Sequence, residues 1–289
     1  MIQEIAIGIG IPFGLGLFFA TVIAIAYKNF RVFEDPRIDQ VEEMLPHANC
    51  GACGKPGCRA FAEALVSGEE APSGCTVSSA EGIQRIAAFL GVEAGSKEKR
   101  VARLLCAGGK KEAQNKAAYR GGLHTCRGEA VVSGGGKACT WGCLGLGDCV
   151  QACHFDAMYM NEDGLPVVVA DLCTACGDCV RACPKGLFEI FPISQKLVVQ
   201  CKSLLEGDLA ESRCSVACTG CGRCVADALP GVIEIKQHLA VVNYTLNELA
   251  SPDATRRCPT GAIVWVDGQQ FAGSSRSELP LGRVETYTD

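Results

Sequence analysis

Residues 173–184 read CTACGDCVRACP, and no other stretch constrains this chain as tightly. The spacing Cys-x2-Cys-x2-Cys-x3-Cys-Pro sets three thiols, Cys173, Cys176 and Cys179, on one tight loop, where Gly177 relieves crowding. Three thiolates on such a loop cap three corners of a 4Fe–4S cluster, and the fourth, Cys183, points toward a second cluster. Zinc ribbons use two separated Cys-x2-Cys knuckles, so zinc is a poor competitor here.

A second cluster needs a partner run, and residues 139–158, CTWGCLGLGDCVQACHFDAM, supply it. Aligning GDCVQAC on GDCVRAC sets Cys143, Cys149 and Cys153 against Cys173, Cys179 and Cys183, and leaves Leu146 where Cys176 would be. Cys139, just upstream, is the expected substitute. Crossed pairing then predicts one cluster on Cys139, Cys143, Cys149 and Cys183 and another on Cys153, Cys173, Cys176 and Cys179. The intervening AMYMNEDGLPVVV reads as a hairpin turning at Asp163-Gly164. Together these make a small two-cluster ferredoxin module, with His154 where proline is usual.

A third copy of the run, CTGCGRCVADALP at 218–230, has Ala228 in place of its last cysteine. Residues 256–263, RRCPTGAI, look like the end of a further run that keeps only Cys258. Counting back from Cys258 by the same spacing gives Glu248, Ser251 and Ala254. These losses are mutually consistent: crossed pairing leaves one complete set, Cys218, Cys221, Cys224 and Cys258, and removes the other entirely. Residues 214–266 therefore read as a ferredoxin module reduced to one cluster.

Upstream, NCGACGKPGCRAFAEAL at 49–65 brings Cys50, Cys53 and Cys58 together, and Cys75 is the cysteine near enough to complete a set. A short helix over GCRAFAEALVSGE would return the chain to it. Another 4Fe–4S cluster fits this set, with zinc as the alternative. Four of the chain's 20 cysteines remain, Cys106, Cys126, Cys201 and Cys214. A fifth cluster and free structural thiols both fit them, and Cys214 precedes Cys218 by the spacing that Cys139 has from Cys143.

The redox compartment bears on these readings. Residues 5–27, IAIGIGIPFGLGLFFATVIAIAY, carry no charge. At 1.5 Å per residue such a helix reaches roughly 34 Å, enough to cross a bilayer. The run is longer than a signal-peptide core and lacks a basic start, so a retained transmembrane anchor is expected over 1–28. Gly10 and Gly14, flanked by Gly8 and Gly16, suggest packing against another membrane helix. Lys28, Arg31 and Arg37 follow the run, which leaves the bulk of the chain on the cytoplasmic side. A reducing cytoplasm favours metal ligands over disulfides.

Aromatic residues make up only 6% of the 289-residue chain, so bonding other than ordinary core packing is expected around the cysteines. The net charge of −5 argues against a general nucleic-acid binder. Glycine fingerprints for dinucleotides or phosphates are absent from the sequence. His47, His124, His154 and His238 are scattered and read as surface or packing residues. Residues 97–137 are basic, with ten Lys or Arg against Glu98, Glu112 and Glu129. They fit either a solvated linker or a docking surface for an acidic partner.

The segment FEDPRIDQVEEMLPHANCGACGKPGCRAFAEAL (33–65), the membrane helix before it, and GCLGLGDCVQAC and CTACGDCVRACPKGLFEIFP after it together resemble the B subunit of the Rnf electron-transport complex in its longer, cluster-rich form. The resemblance implies an iron–sulfur relay in a bacterial cytoplasmic-membrane complex. Such a complex oxidises reduced ferredoxin, reduces NAD⁺ and pumps Na⁺ or H⁺, with NAD⁺ and flavin on other subunits. It implies cluster ligands at Cys50, Cys53, Cys58 and Cys75 and at the eight cysteines from Cys139 to Cys183. Donation of electrons to a redox-sensing regulator, or an iron–sulfur scaffold or sensor, are the alternatives. The expected fold is α+β: the anchor (1–28), an N-terminal 4Fe–4S domain (29–95), a basic connecting segment (96–137), a two-cluster ferredoxin-like module (138–200), a degenerate one-cluster module (201–267) and a tail (268–289).

Overall fold

The structure is a computed structural model that describes residues 2–30, 34–117, 124–271 and 273. The N-terminal helix α1 (Ile2–Phe30) has described side chains only from Phe13 to Lys28. There Phe13, Leu17, Phe18 and Ile23 are exposed, and the Thr21 hydroxyl is satisfied inside the helix by the Leu17 carbonyl at 2.7 Å. The first side chains of the anchor expected over 5–27 lie outside the described residues. Among those described, no helix is long and apolar enough to cross a membrane.

Three helices form the next unit. α2 (Pro36–Met44) starts at Asp35, whose carboxylate accepts from the Arg37 N–H, with Pro36 pre-set for the first helical position. α3 (Cys58–Ser67) is the short helix expected after Cys58, and it stops at Gly68. α4 (Ala80–Leu90) is capped by Ser79, which accepts from the Gly82 N–H at 3.1 Å. Their shared core is small: Val41, Leu45, Phe61, Ala62, Leu65 and Ile86, with Cys53, Cys58 and Cys75 packed against it.

The rest of the chain repeats one pattern twice. In the first copy β1 (Arg100–Leu104), α5 (Cys126–Val131) and α6 (Asp148–Gln151) lead into the hairpin of β2 (Met158–Met160) and β3 (Pro166–Val168). Then come α7 (Asp178–Ala182) and β4 (Phe188–Pro192). The hairpin turns where the sequence suggests, with Asn161 accepting from the Leu165 N–H through its side chain. β1 lies antiparallel on β4, from Arg100 opposite Pro192 to Leu104 opposite Phe188.

In the second copy β5 (Leu197–Val199), α8 (Gly207–Arg213) and α9 (Arg223–Asp227) precede the hairpin of β6 (Ile233–Lys236) and β7 (Leu239–Val242). α10 (Asp253–Arg256) and β8 (Ile263–Trp265) close it, with β8 antiparallel to β5. In each copy, therefore, the first strand pairs with the last.

That pairing redraws the expected segments. β1 falls inside the basic stretch 96–137, and it is a core strand: Val101, Ala102 and Leu104 are buried, and so is Arg103. β5 precedes residue 201 yet pairs with β8. A terminal strand buries its backbone only by finding a partner, and the cysteine runs do not mark where that partner lies. After β8 the chain crosses back to the first copy. Gln270 brackets Leu104 with both ends of its amide, at 3.0 Å to the N–H and 2.7 Å to the carbonyl. Arg103 donates to the Gly268 carbonyl at 2.7 Å. Most of the tail expected over 268–289 lies outside the described residues.

Candidate metal centres

None of the twenty cysteines forms a disulfide, and they collect around five hollows, four to each. The first set is Cys50, Cys53, Cys58 and Cys75. The second is Cys153, Cys173, Cys176 and Cys179. A third joins Cys126, Cys143, Cys149 and Cys183. A bridging set joins Cys106, Cys139, Cys201 and Cys214. The terminal set is Cys218, Cys221, Cys224 and Cys258. No histidine lines any of the five hollows.

Local geometry explains how each run presents its thiols. Gly147, Gly177 and Gly222 occupy the same place in three runs, each at φ between +73° and +84°, immediately before α6, α7 and α9. A side chain is disfavoured in that left-handed turn, so the turn that aims the preceding cysteines inward needs glycine. In the first set the Asn49 carboxamide accepts from the Cys58 N–H at 2.8 Å, tying the loop to the start of α3.

The third set departs from the sequence expectation. Cys139 does not replace the cysteine lost at Leu146; Cys126 does. The carboxylate of Asp148 explains why. It accepts from the N–H groups of Cys126 at 2.8 Å and Arg127 at 3.1 Å, fixing the start of α5 against α6. Thr125 caps the same helix through Gly128. The signal in TCRGE, an N-cap threonine four residues before a glutamate, marks a helix start that holds Cys126, but nothing in it says where that helix docks.

Cys139 instead enters the bridging set, which both copies build equally. Cys106 lies two residues past β1 and Cys201 two past β5; Cys139 and Cys214 each stand four residues before a run, at Cys143 and Cys218. The shared spacing of Cys139 and Cys214 is visible in the sequence, but its meaning requires knowing that β1 and β5 are equivalent strands. The set absent from the second copy has been replaced by packing. Ala254 is fully buried in the core there, with Ala228, Leu246 and Ala250 against it.

The five sets adjoin in one row. The Thr76 hydroxyl, beside Cys75, donates to the Thr174 carbonyl, beside Cys173, at 2.7 Å. Cys149 of the third set lies close enough to Cys179 of the second for their charges to interact. The Cys143 N–H points at the Cys106 sulfur at 3.4 Å, joining the third set to the bridging set. The Cys218 N–H points at Cys201, joining the bridging set to the terminal one.

The electrostatics favour neutral thiols in the absence of a ligand. Burial pushes Cys179 and Cys201 up to about 12 and Cys214 and Cys224 up to about 11, and it raises Cys143 and Cys149 as well. Cys258 runs the other way. Burial alone would raise it, but N–H groups of Ile263, Thr260 and Ala262 and the Thr260 hydroxyl together lower it. Loading these sites therefore displaces protons.

The donor sets fit 4Fe–4S clusters. Four thiols around a walled hollow, aided by backbone N–H groups aimed at sulfur, match a cluster in which each iron takes one cysteine. Tetrahedral zinc would draw four sulfurs to about 2.3 Å from a single point. Among the described residues no such convergence of His, Cys, Asp or Glu occurs.

Similarity to known proteins agrees with this chemistry. An Fe-S cluster family matches residues 45–77, which contain the first set, and a 4Fe-4S binding domain family matches residues 165–188, which contain Cys173, Cys176, Cys179 and Cys183. The chain is 42% identical over 244 residues to the B subunit of the Na(+)-translocating ferredoxin:NAD(+) oxidoreductase complex of Acetobacterium woodii, covering 84% of this chain and 73% of that one. It is 39% identical over 268 residues to the B subunit of the proton-translocating ferredoxin:NAD(+) oxidoreductase complex of Clostridium ljungdahlii, covering 91% and 94%. The B subunit of the ion-translocating oxidoreductase complex of Methanosarcina acetivorans is 39% identical over 243 residues, covering 84% and 90%. With that identity sustained over most of both chains and the cysteine sets in place, the chain belongs to the B-subunit family of the ion-translocating (Rnf) oxidoreductase complexes.

Proposed function

We propose that this chain is the iron–sulfur electron relay of an Rnf-type complex, taking electrons from reduced ferredoxin and passing them toward subunits that reduce NAD⁺. The observation that carries the reading is the series of five cysteine sets, each linked to the next by a hydrogen bond or a charge interaction. When bound, a 4Fe–4S cluster accepts and returns a single electron at a potential set by hydrogen bonds, charge and exposure. The chain's own part is to hold each set in place and to keep water away from the sulfurs. The buried walls of Leu104, Met160 and Phe188 at the third set do the latter.

All twenty cysteines serve as ligands in this reading, including the bridging set of Cys106, Cys139, Cys201 and Cys214. A set shared by two modules both links them electronically and fixes their orientation. Helix α1, with exposed Phe13, Leu17, Phe18 and Ile23 on its described part, is the anchor that holds the relay at the membrane beside its partner subunits. The uncharged run 5–27 supports a single pass with residues 31–289 in the cytoplasm.

The test is iron and acid-labile sulfide per anaerobically purified chain, with EPR of the reduced protein. Five sets of four predict roughly twenty iron atoms per chain. Reduced ferredoxin should bleach the iron–sulfur absorbance of the purified complex without added mediators. An iron content near that of a single cluster, or no bleaching by ferredoxin, would refute the relay.

A further inference from the structure

Among the described residues two cations are buried, Arg103 and Lys137. Lys137 is 8% exposed and has no carboxylate within ion-pair distance among the described residues. Its ammonium donates to the Gly108 carbonyl. The nearby buried carboxylate, Glu129, faces the Gly136 N–H instead, at 2.8 Å.

Lys137 stands behind the wall of the bridging set, and its charge also reaches Cys143 of the third set. Gly108 lies so close to the bridging set that a Cβ there would stand 2.9 Å from the Cys214 sulfur and 3.8 Å from the Cys106 sulfur. The Lys137 stem packs over Gly142, whose own Cβ would touch Cys139. The charge of Lys137 favours the thiolate forms of Cys139, Cys143 and Cys214. Among the described residues no carboxylate pairs with it, and an isolated buried ammonium is costly. The four thiolates of the bridging set are the negative charge that would balance it.

The set is otherwise two-fold in construction, and Lys137 breaks that symmetry. It stands two residues before Cys139, while the residue two before Cys214 is Ser212, which is exposed. The other cation at the hollow, Lys202, is already paired with Glu189 at 2.9 Å, which leaves Lys137 as the buried cation there without a carboxylate among the described residues.

We infer that Lys137 is a positioning residue that supplies the buried countercharge of the bridging 4Fe–4S site and raises its reduction potential. The inference rests on the assignment of Cys106, Cys139, Cys201 and Cys214 as ligands. A nearby positive charge favours the more negative, reduced form. The step is the addition of one electron to the site, with no bond made or broken and no proton required at Lys137. Raised in this way, the middle of the row holds an electron between the third and terminal sets.

The experiment is an EPR-monitored redox titration of the full chain with dithionite and mediators, comparing wild type with K137M and K137R, with iron counted in each. Wild type must first differ from a C201S variant by the loss of about four iron atoms or by conversion of one cluster to a three-iron EPR signal; if C201S shows neither, the ligand assignment fails, and with it this inference. With the site loaded, K137M should lower the reduced-to-oxidised ratio of one cluster at least tenfold at fixed potential, about 59 mV for one electron. K137R should stay near wild type, the third set, which Lys137 reaches through Cys143, should shift less than the bridging set, and the other three clusters should not move. Loss of the site's iron in K137M but not in K137R would also support the countercharge. A loaded K137M with an unchanged titration, or equal loss of iron in both variants, would overturn it.

Discussion

The hydroxyl of Thr76 donates to the carbonyl of Thr174 at 2.7 Å, across 98 residues of chain. Thr76 follows Cys75, and Thr174 follows Cys173, so this bond ties the last thiol of the first set to the first loop of the second. Through it the N-terminal helical unit meets the first ferredoxin-like copy at the sites themselves. Nearby, Lys99 reaches the Asp171 carbonyl at 3.0 Å and steadies the same approach.

Thr76→Val keeps the volume and removes that donor. A part-buried hydrogen bond contributes about 1 kcal/mol. Amide exchange of residues 73–77 should rise several-fold while iron content stays at the wild-type value. Electron equilibration between the first set and the others, followed by flash reduction, should slow. Unchanged exchange and unchanged equilibration would show that another contact sets the approach.

Cys126→Ser and Cys139→Ser separate two readings of the third set. Each should lower iron by about four atoms per chain or convert one cluster to a three-iron form. The two variants should lose different EPR signals, and Cys183→Ser should lose the same signal as Cys126→Ser. If Cys139→Ser and Cys183→Ser share a lost signal, the third set is built as the sequence spacing suggests.

Removal of residues 1–30 tests the anchor. The truncated chain, expressed without partner subunits, should leave the membrane fraction and retain its iron, because the core of Val41, Phe61 and Ile86 includes no described side chain of α1. Persistence on membranes after carbonate washing would place the attachment elsewhere in the chain.

Electron entry should depend on salt if an acidic ferredoxin docks on the basic segment. The structure narrows the candidates there. Arg103 and Lys137 are buried, and Lys111 is already paired with Asp163 at 2.9 Å; of the exposed cations, Lys97, Lys99, Arg100, Lys110, Lys116 and Arg127, Lys110 and Lys116 flank that pair. Screening shortens from about 30 Å at 0.01 M salt to about 10 Å at 0.1 M. Lys110→Glu with Lys116→Glu should slow ferredoxin oxidation several-fold at low salt and flatten its salt dependence, read by stopped flow. A rate and slope equal to wild type would move docking off this segment.

Cysteine spacing alone marked where most of the thiols would gather. CTACGDCVRACP can place its first three thiols only around one hollow, because seven residues with a left-handed glycine leave the loop no other course. The hairpin at Asp163-Gly164 and the short helix after Cys58 were legible for the same reason: turn residues and apolar periodicity act within a few positions. What the sequence left open depended on distant partners. Cys126 joins the third set because Asp148, 22 residues on, holds the start of α5. Cys106 and Cys201 share a hollow because β1 and β5 each pair with the closing strand of their copy, at separations near 90 and 65 residues. Local spacing determines the shape of a loop. Which loops face one another is decided only when strands find their partners and two modules bury a common surface.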